Sequence, residues 1–246
     1  MRVLYFLIPI GFLFFSCDKN KPTKTEDTYL SLTVQPTFGT ENLFLDSVYT
    51  TLEGYDFKIL DFKFYMTGVK NNSNSLAEAI LYDFRESGKT ALRTIGDPTK
   101  FTSLQGSIGV IESLNHDDPS AFANESPLNI SNAGPMHWGW NTGYIFIVIE
   151  GKADTLNDEV ALFDHSFSYH IGTDTYLENF SFSNLSWVKN STYEYELPLK
   201  FEFDKFLQNN GQNIDLKTEN LTHTAAGQQV LTQKVNQNFK QALKPF

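Results

Sequence analysis

The residues from Tyr193 to Asp204 read YEYELPLKFEFD, and this stretch gives the clearest indication of the fold. Aromatic or aliphatic side chains alternate along it with polar side chains or proline. A period of two is typical of a β-strand with one buried face. Pro198 has no N–H to donate to a neighbouring strand, which favours the edge of a sheet. The stretch therefore predicts a β-fold with an edge strand at this point.

The strand pattern recurs elsewhere in the chain. Between Tyr55 and Lys70 apolar residues alternate, but the phase changes where Ile59 is followed directly by Leu60. Such a change of phase is what a β-bulge produces. The run from Tyr144 to Ile149 is apolar throughout and predicts a strand that is buried on both faces.

Only the C-terminus has a helical pattern. Apolar residues recur there at four-residue intervals, and Lys244-Pro245 ends the pattern. These residues are Leu231, Val235, Phe239 and Leu243. We therefore expect an all-β protein, a β-sandwich with Greek-key-like connections, long ordered loops and a short C-terminal helix.

The N-terminus has the features of an export signal. An apolar run from Val3 to Phe15 follows Arg2, and it is too short to span a bilayer. Cys17 is the only cysteine, and the preceding Phe-Phe-Ser resembles a lipobox, in which the cysteine becomes lipidated. The alternative is a chance cysteine after an ordinary signal. We expect a signal peptide at 1–16, a lipidated tether at 17–27 and one domain at 28–246.

This organisation predicts a location and excludes one class of partner. A lipidated chain would be anchored in the cell envelope and would face the periplasm or the cell surface, with the membrane as a partner through the lipid. Removing the signal leaves 18 Lys and Arg residues against 29 Asp and Glu, a formal charge of −11. Such a surface repels phosphate backbones, so we expect no nucleic-acid partner.

The connection from Asn115 to Gly143 is long for a small domain. Loops of this length are usually functional or disordered, and its aromatic residues disfavour disorder. It begins with Asn-His-Asp-Asp-Pro at 115–119 and ends with Met-His-Trp-Gly-Trp at 136–140. We therefore expect an ordered loop that folds over one end of the sheets and carries a functional site.

Several short motifs, in this order, resemble the methanobactin-associated copper-binding (MbnP-like) family. They are Leu104-x-Gly106-x-Ile108-Gly109-Val110, Asn115-His116-x-Asp118-Pro119, Pro127-Leu128-Asn129, Met136-x-Trp138-x-Trp140-x-x-Gly143-Tyr144 and Glu150-Gly151, together with Phe64 to Val69, Asp83-Phe84 and His170 to Gly172. The resemblance implies an exported β-sandwich. It also implies a copper site, made in some members by histidines and a tryptophan that a di-haem peroxidase-like partner oxidises to kynurenine.

Copper prefers imidazole among the side chains that this chain offers. The candidate metal ligands are His116 and His137 in the loop and His170 near a strand end. Alternation along residues 160–171 places His165 on the face of Phe167 and His170 on the opposite face, so His165 is the expected core histidine. For each candidate the alternative is a hydrogen-bonded structural role. His223 lies in a Thr-rich loop, where we expect it to be only solvated.

Trp138 and Trp140 are candidate modified ligands. The indole nitrogen is only a donor, so an unmodified tryptophan offers no ordinary coordinating atom. Kynurenine exposes an aniline nitrogen and a ketone, which would make either position a ligand. Two residues apart in an extended segment, the two side chains point the same way. Simple aromatic packing is the alternative for each.

Motifs for catalysis are missing from the sequence. It contains no Gly-x-Ser-x-Gly, His-Glu-x-x-His, phosphate loop or dinucleotide motif, and Asp117 and Asp118 are not followed by the ligand ladder of an EF-hand. We expect no catalytic residues and no enzyme activity. The sequence predicts an exported, lipid-anchored copper-binding protein for copper acquisition or handling. The alternative is a non-metal binding or structural envelope lipoprotein.

Overall fold

The computed structural model describes residues 26–139, 141–156, 158 and 160–246. Its strands are β1 (Tyr29–Phe38), β2 (Glu41–Asn42), β3 (Tyr49–Thr50), β4 (Asp56–Asn71), β5 (Asn74–Asp83), β6 (Thr90–Ile95), β7 (Leu104–Ile108), β8 (His137–Gly139), β9 (Gly143–Asp154), β10 (His165–Gly172), β11 (Glu178–Phe182), β12 (Val188–Ser191), β13 (Glu194–Glu202), β14 (Leu221–Thr222) and β15 (Leu243–Pro245). Its helices are α1 (Phe84–Ser87), α2 (Glu112–Asn115), α3 (Ile130–Ala133), α4 (Phe203–Leu207) and α5 (Gln229–Ala242). The all-β prediction with a C-terminal helix is confirmed.

The strands form two sheets. The small sheet has the order β12-β13-β1-β2, with β15 beside β13 and β6 beside β1. The large sheet has the order β11-β7-β4-β9-β10-β14, with β3 and β5 joined to β4 and β8 joined to β9. Strands β1 and β13 are parallel although they are far apart in sequence, and Leu32 lies opposite Leu197. Strand β13 therefore lies between β1, the first strand, and β15, the last strand, in one sheet.

The core lies between the inner faces of the two sheets. The Phe62 ring of β4 lies 4.7 Å from the Phe201 ring of β13, and Phe201 lies 4.7 Å from Phe239 of α5. All three side chains are fully buried. Burial of each such ring stabilises the fold by about 1.5–3 kcal/mol. Because the inner face is filled in this way, the outer face of the large sheet is left for the long loop and the polar residues.

The predicted bulge in β4 is confirmed. The register with β9 shifts between Ile59 and Asp61, so that Leu60 is the additional residue. Ile59 and Phe62 are both buried, whereas Asp61 and Lys63 are only partly buried. The bulge thus keeps the aromatic residues of β4 directed to the inner face. It turns Asp61 and Lys63 to the outer face of the large sheet, where their cross-strand partners are Glu150 and Val148 of β9.

The edge-strand prediction for Pro198 is wrong. Strand β13 has β1 on one side and β12 and β15 on the other. Pro198 lies between Glu196, which pairs with β12, and Leu199, which pairs with β15. Two short strands share this side of β13, and the proline occupies the interval between them, where a missing N–H removes no ladder bond to either.

The N-terminal predictions lie outside the described residues. These are the signal peptide at 1–16, Cys17 and the tether up to residue 25. Within the part of the chain that the structure does describe, no helix has the length and apolar character needed to cross a membrane.

Candidate functional site

Strand β10 carries the centre of the candidate site. Phe167, Tyr169 and Ile171 are buried, as the alternation predicts. Nε2 of His165 lies 3.1 Å from the carbonyl oxygen of Leu216, which agrees with its expected structural role. His170 has the opposite parity and is the cross-strand neighbour of Val148 on β9. It therefore lies on the outer face of the large sheet.

The long loop is ordered over this outer face, as predicted, for the residues that the structure describes. Tyr65 of β4 donates from its hydroxyl to the carbonyl oxygen of Pro127 at 3.0 Å. The hydroxyl of Tyr144 donates to the carbonyl oxygen of Leu128. At the start of the loop Asn115, which is only 1 % exposed, accepts the Tyr144 N–H at 2.8 Å. These three bonds hold the middle and the beginning of the loop against β4 and β9.

His116 is paired with a carboxylate. Its Nε2 lies 2.7 Å from Oδ2 of Asp174, and Asn115 donates to Oδ1 of the same side chain at 2.9 Å. Burial favours a higher pKa for Asp174, but the hydrogen bonds from His116 and Asn115 outweigh it and lower the pKa. Asp174 follows the end of β10, so this pair ties the beginning of the loop to that strand end.

His137 attaches the end of the loop to β9, and Trp138 attaches it to the end of β10. His137 in β8 is the cross-strand partner of Tyr144, with ring centroids 4.8 Å apart. Burial lowers the pKa of His137. Trp138 packs on Gly172, where an added Cβ would lie 2.5 Å from Cζ3 of the indole. Trp140, the other candidate modified ligand, lies outside the described residues.

His170 lies in a group of polar side chains on β9, on β10 and directly after β14. Its Nε2 is 2.7 Å from Oε1 of Glu150 and 3.3 Å from Oγ of Ser168. The ring of His223 stacks on the ring of His170, with centroids 4.4 Å apart and planes 9° apart. Burial and the neighbouring His170 lower the pKa of His223, against an opposing effect of Glu150. His223 is exposed to solvent, as the sequence predicts, but it also contacts His170 and Ser168, which the sequence does not indicate.

Ser168, His170 and Glu150 do not form a proton relay. A catalytic serine and its acidic partner must use the two different nitrogens of the imidazole. Here the hydroxyl and the carboxylate both contact Nε2 of His170. The arrangement therefore does not activate the hydroxyl of Ser168.

Three of the predicted site residues, His116, Trp138 and His170, lie around the end of β10 but have different contacts. His170 lies on the strand, Trp138 covers Gly172, and His116 contacts Asp174. Among the described residues, no group of three or more His, Cys, Asp or Glu side chains is arranged to hold a metal ion. The ligand set of His116, His137 and His170 therefore stays a prediction.

A cavity lies beneath the loop next to His170. It has a volume of about 150 Å³. Its lining residues are Asp61, Lys63, Pro135, Met136, Ile145, Val148, Glu150 and His170. Nζ of Lys63 contacts Asp61 at 3.3 Å and Asp83 at 2.9 Å. Burial raises the pKa of Asp61, although Lys63 opposes this effect.

The donor set around this cavity fits copper in its chemistry. Imidazole and thioether are ligands that copper accepts, and a carboxylate can add to them. His170, Met136 and Glu150 supply one of each. Sequence reasoning missed Glu150, Asp174 and His223. Glu150 stands in a motif of the family resemblance but approaches His170 only through the pairing of β9 with β10, whereas Asp174 and His223 lie in the segments that follow β10 and β14.

The fold and the site define a class of protein. It is a two-sheet β-scaffold whose long ordered loop closes over an imidazole-bearing strand end.

The chain belongs to the MbnP family, since a model of that family matches residues 27–229. Among solved structures, MbnP from Methylosinus trichosporium is similar at 14 % sequence identity and a TM-score of 0.46, over 74 % of this chain and 78 % of that chain. No curated protein matches the chain at a significant level.

Proposed function

We propose that the protein is an exported, lipid-anchored copper-binding protein that serves copper acquisition or handling. Membership of the MbnP family supports copper as the ion, because this family is linked to methanobactin and copper. The observation that carries the proposal is His170, which lines a cavity together with Met136 and Glu150 in a member of this family.

The proposed role of the site is to bind the ion, not to transform a substrate. The ligands that the sequence predicts are His116, His137 and His170, and His170 is the one that lines the cavity. Imidazole nitrogens would hold the copper. Lys63 also lines the cavity, but its ammonium group is already paired with Asp61 and Asp83. We propose that the chain itself has no catalytic activity.

A modified tryptophan would add a donor to this site. Trp138 packs on Gly172, two residues after His170 along β10. We propose that oxidation of Trp138 or Trp140 to kynurenine, by a di-haem peroxidase-like partner, supplies a nitrogen or oxygen ligand. Native protein should then show the corresponding mass gain on a peptide covering residues 136–144. Protein made without the partner should lack it.

Two observations favour a second candidate, a structural or non-metal binding envelope lipoprotein. The His116–Asp174 pair and the packing of Trp138 on Gly172 are complete without any metal. In that case the histidines would only fasten the loop to β10.

A copper titration of the purified chain distinguishes the two candidates. We expect wild-type protein to retain copper against a competing chelator, and His170→Gln to bind at least about tenfold more weakly, since even outer partners of metal ligands cost about 10–100-fold. His165→Gln is the matched control, because it removes an imidazole from the same strand on the opposite face. Equal affinities for wild type and His170→Gln would favour the structural candidate.

A further inference from the structure

A second cavity lies on the large sheet, on the side of β4 away from β10. It lies over β4, β7 and β11 and has a volume of about 470 Å³. Its polar lining residues are Thr67 and Lys70 of β4, Gln105 and Ser107 of β7, and Asn179 and Ser181 of β11. None of its lining residues is Asp or Glu, although the chain has 29 of these against 19 Lys and Arg. The cavity thus differs in place and in chemical character from the one beside His170.

Strand pairing arranges these side chains in two rows. Residues directly opposite each other in an antiparallel pair have their side chains on the same face of the sheet. The members of one row are Lys70, Gln105 and Ser181, and those of the other are Thr67, Ser107 and Asn179. Gln105 and Ser107 are two residues apart, so the two rows share a face and lie about 7 Å apart. The rows form two walls of the cavity, with strand backbone between them.

A second β-bulge in β4 brings Lys70 into its row. The register with β7 shifts between Thr67 and Lys70, so the interval from 67 to 70 on β4 matches the interval from 107 to 105 on β7. Gly68 within this interval has a φ of +61°, a conformation that glycine adopts easily. In a regular strand Lys70 would have the opposite parity from Thr67. The bulge therefore directs the lysine to the face of the cavity, as bulges beside active sites often do.

The two rows present hydrogen-bond donors to the cavity. Among the described residues, no carboxylate oxygen lies within 4.0 Å of Nζ of Lys70. The hydroxyl of Ser107 donates to Oδ1 of Asn179 at 3.0 Å, which leaves the amide NH₂ group of Asn179 as a donor. Gln105 contributes a second amide beside the lysine. One ammonium charge and two amides are thus available where the lining has no carboxylate to compete for them.

We infer that the cavity over β4, β7 and β11 binds the phosphate group of a small molecule. An ammonium group with neutral amide and hydroxyl donors suits a phosphate, whose oxygens accept several charge-assisted hydrogen bonds at once. Cavities of about 300–1,000 Å³ are typical of small-molecule sites, so this one has room for more than the phosphate itself. Ile111 and Phe180 add apolar contacts for the rest of such a molecule. The inference depends neither on copper nor on His170.

The test is a titration of the full chain, followed by the chemical shifts of its backbone amides at constant ionic strength. The probes are inorganic phosphate and glycerol 3-phosphate. We expect saturable shifts at the amides of Gly106, Ser107 and Asn179, and none at the amides of β10. Tighter binding of glycerol 3-phosphate would support a phosphate ester as the ligand, and tighter binding of inorganic phosphate would support the free ion.

Lys70→Gln removes the charge and should weaken phosphate binding at least about tenfold, since a hydrogen bond to a charged group contributes this much or more. Lys152→Gln is the matched control, because Lys152 of β9 is exposed and lies outside the cavity lining. It should bind phosphate as wild type does. Circular dichroism and thermal unfolding establish that each variant is folded.

Gln105→Glu provides a second variant of nearly the same size. It places a carboxylate in the cavity and should abolish phosphate binding by charge repulsion. The inference is wrong if phosphate causes no saturable shift at these amides, or if Lys70→Gln and wild type bind phosphate equally well. The copper titration described above is a separate measurement, so either proposal can fail while the other stands.

Discussion

At the scale of single residues, Glu202 shows how charge is used to stabilise the domain. Its carboxylate contacts Lys200 at 2.9 Å and also Lys244, which joins β13 to β15. Burial favours a higher pKa for Glu202, but hydrogen bonds from Lys244 and Lys200 outweigh it and lower the pKa below the usual value of 4.5. The contribution of Glu202 to the free energy of unfolding is therefore complete above the unfolded pKa and is lost as the pH falls through the folded pKa.

We predict that Glu202→Gln lowers the free energy of unfolding at neutral pH and weakens the loss of stability on acidification. Urea unfolding between about pH 6 and about pH 3 measures both effects. Glu53→Gln in an exposed turn is the matched control and should follow wild type. The explanation fails if Glu202→Gln and wild type lose stability in parallel over this range.

Some residues of the site could be predicted from the sequence, and others could not. Alternation separated His165 from His170, because parity along a strand determines the face of the sheet. It could not indicate Glu150, which is 20 residues from His170, or Asp174, which is 58 residues from His116. Such partners depend on strand register and on loop closure, which a single sequence does not encode locally.

At the scale of elements, Gly143 joins the long loop to β9. Its φ is +72°, and an added Cβ would lie 2.3 Å from Oδ1 of Asn115. The same oxygen accepts the N–H of Tyr144. The glycine thus lets Asn115 close the beginning of the loop onto its end.

We predict that Gly143→Ala lowers the free energy of unfolding by about 2–5 kcal/mol, since positive φ costs about 1–2 kcal/mol and overpacking about 1–3 kcal/mol. Gly211→Ala is the matched control. Gly211 has a φ of +87° and no atom within 4 Å of an added Cβ, so only the cost of its φ applies. Denaturant unfolding and hydrogen exchange at the Tyr144 amide measure the difference. Equal losses for the two variants would refute a role for the contact with Asn115.

Elements were predictable where their pattern was long. The phase change at Ile59 and Leu60 located the bulge of β4, and the four-residue spacing located α5. Strand β14 has only two residues, too few for an alternation, so the element that positions His223 gave no signal. The prediction of an edge strand at Pro198 is wrong because the rule that confines proline to sheet edges assumes one continuous neighbouring strand on each side. Here β12 and β15 share one side of β13.

At the scale of the whole molecule, the proposed anchor determines where the site acts. Cys17 would hold the domain at a membrane through the short polar tether. We predict that Cys17→Ser releases the protein into the soluble fraction, because the sequence after the signal has no other apolar run of membrane length. Lys21→Ser, which leaves the cysteine in place, should stay with the membranes. Membrane retention of Cys17→Ser would contradict the lipobox assignment.

We propose that copper binds at the end of β10, and anomalous scattering at the copper absorption edge would locate the ion. Crystals of the copper-loaded protein should show a peak about 2 Å from Nε2 of His170, the length of a metal–nitrogen bond. Contact of the peak with His116 and His137 as well would identify the ligand set that the sequence predicts. Copper-loaded crystals whose peaks all lie away from His170, or protein that takes up no copper, would contradict the claim.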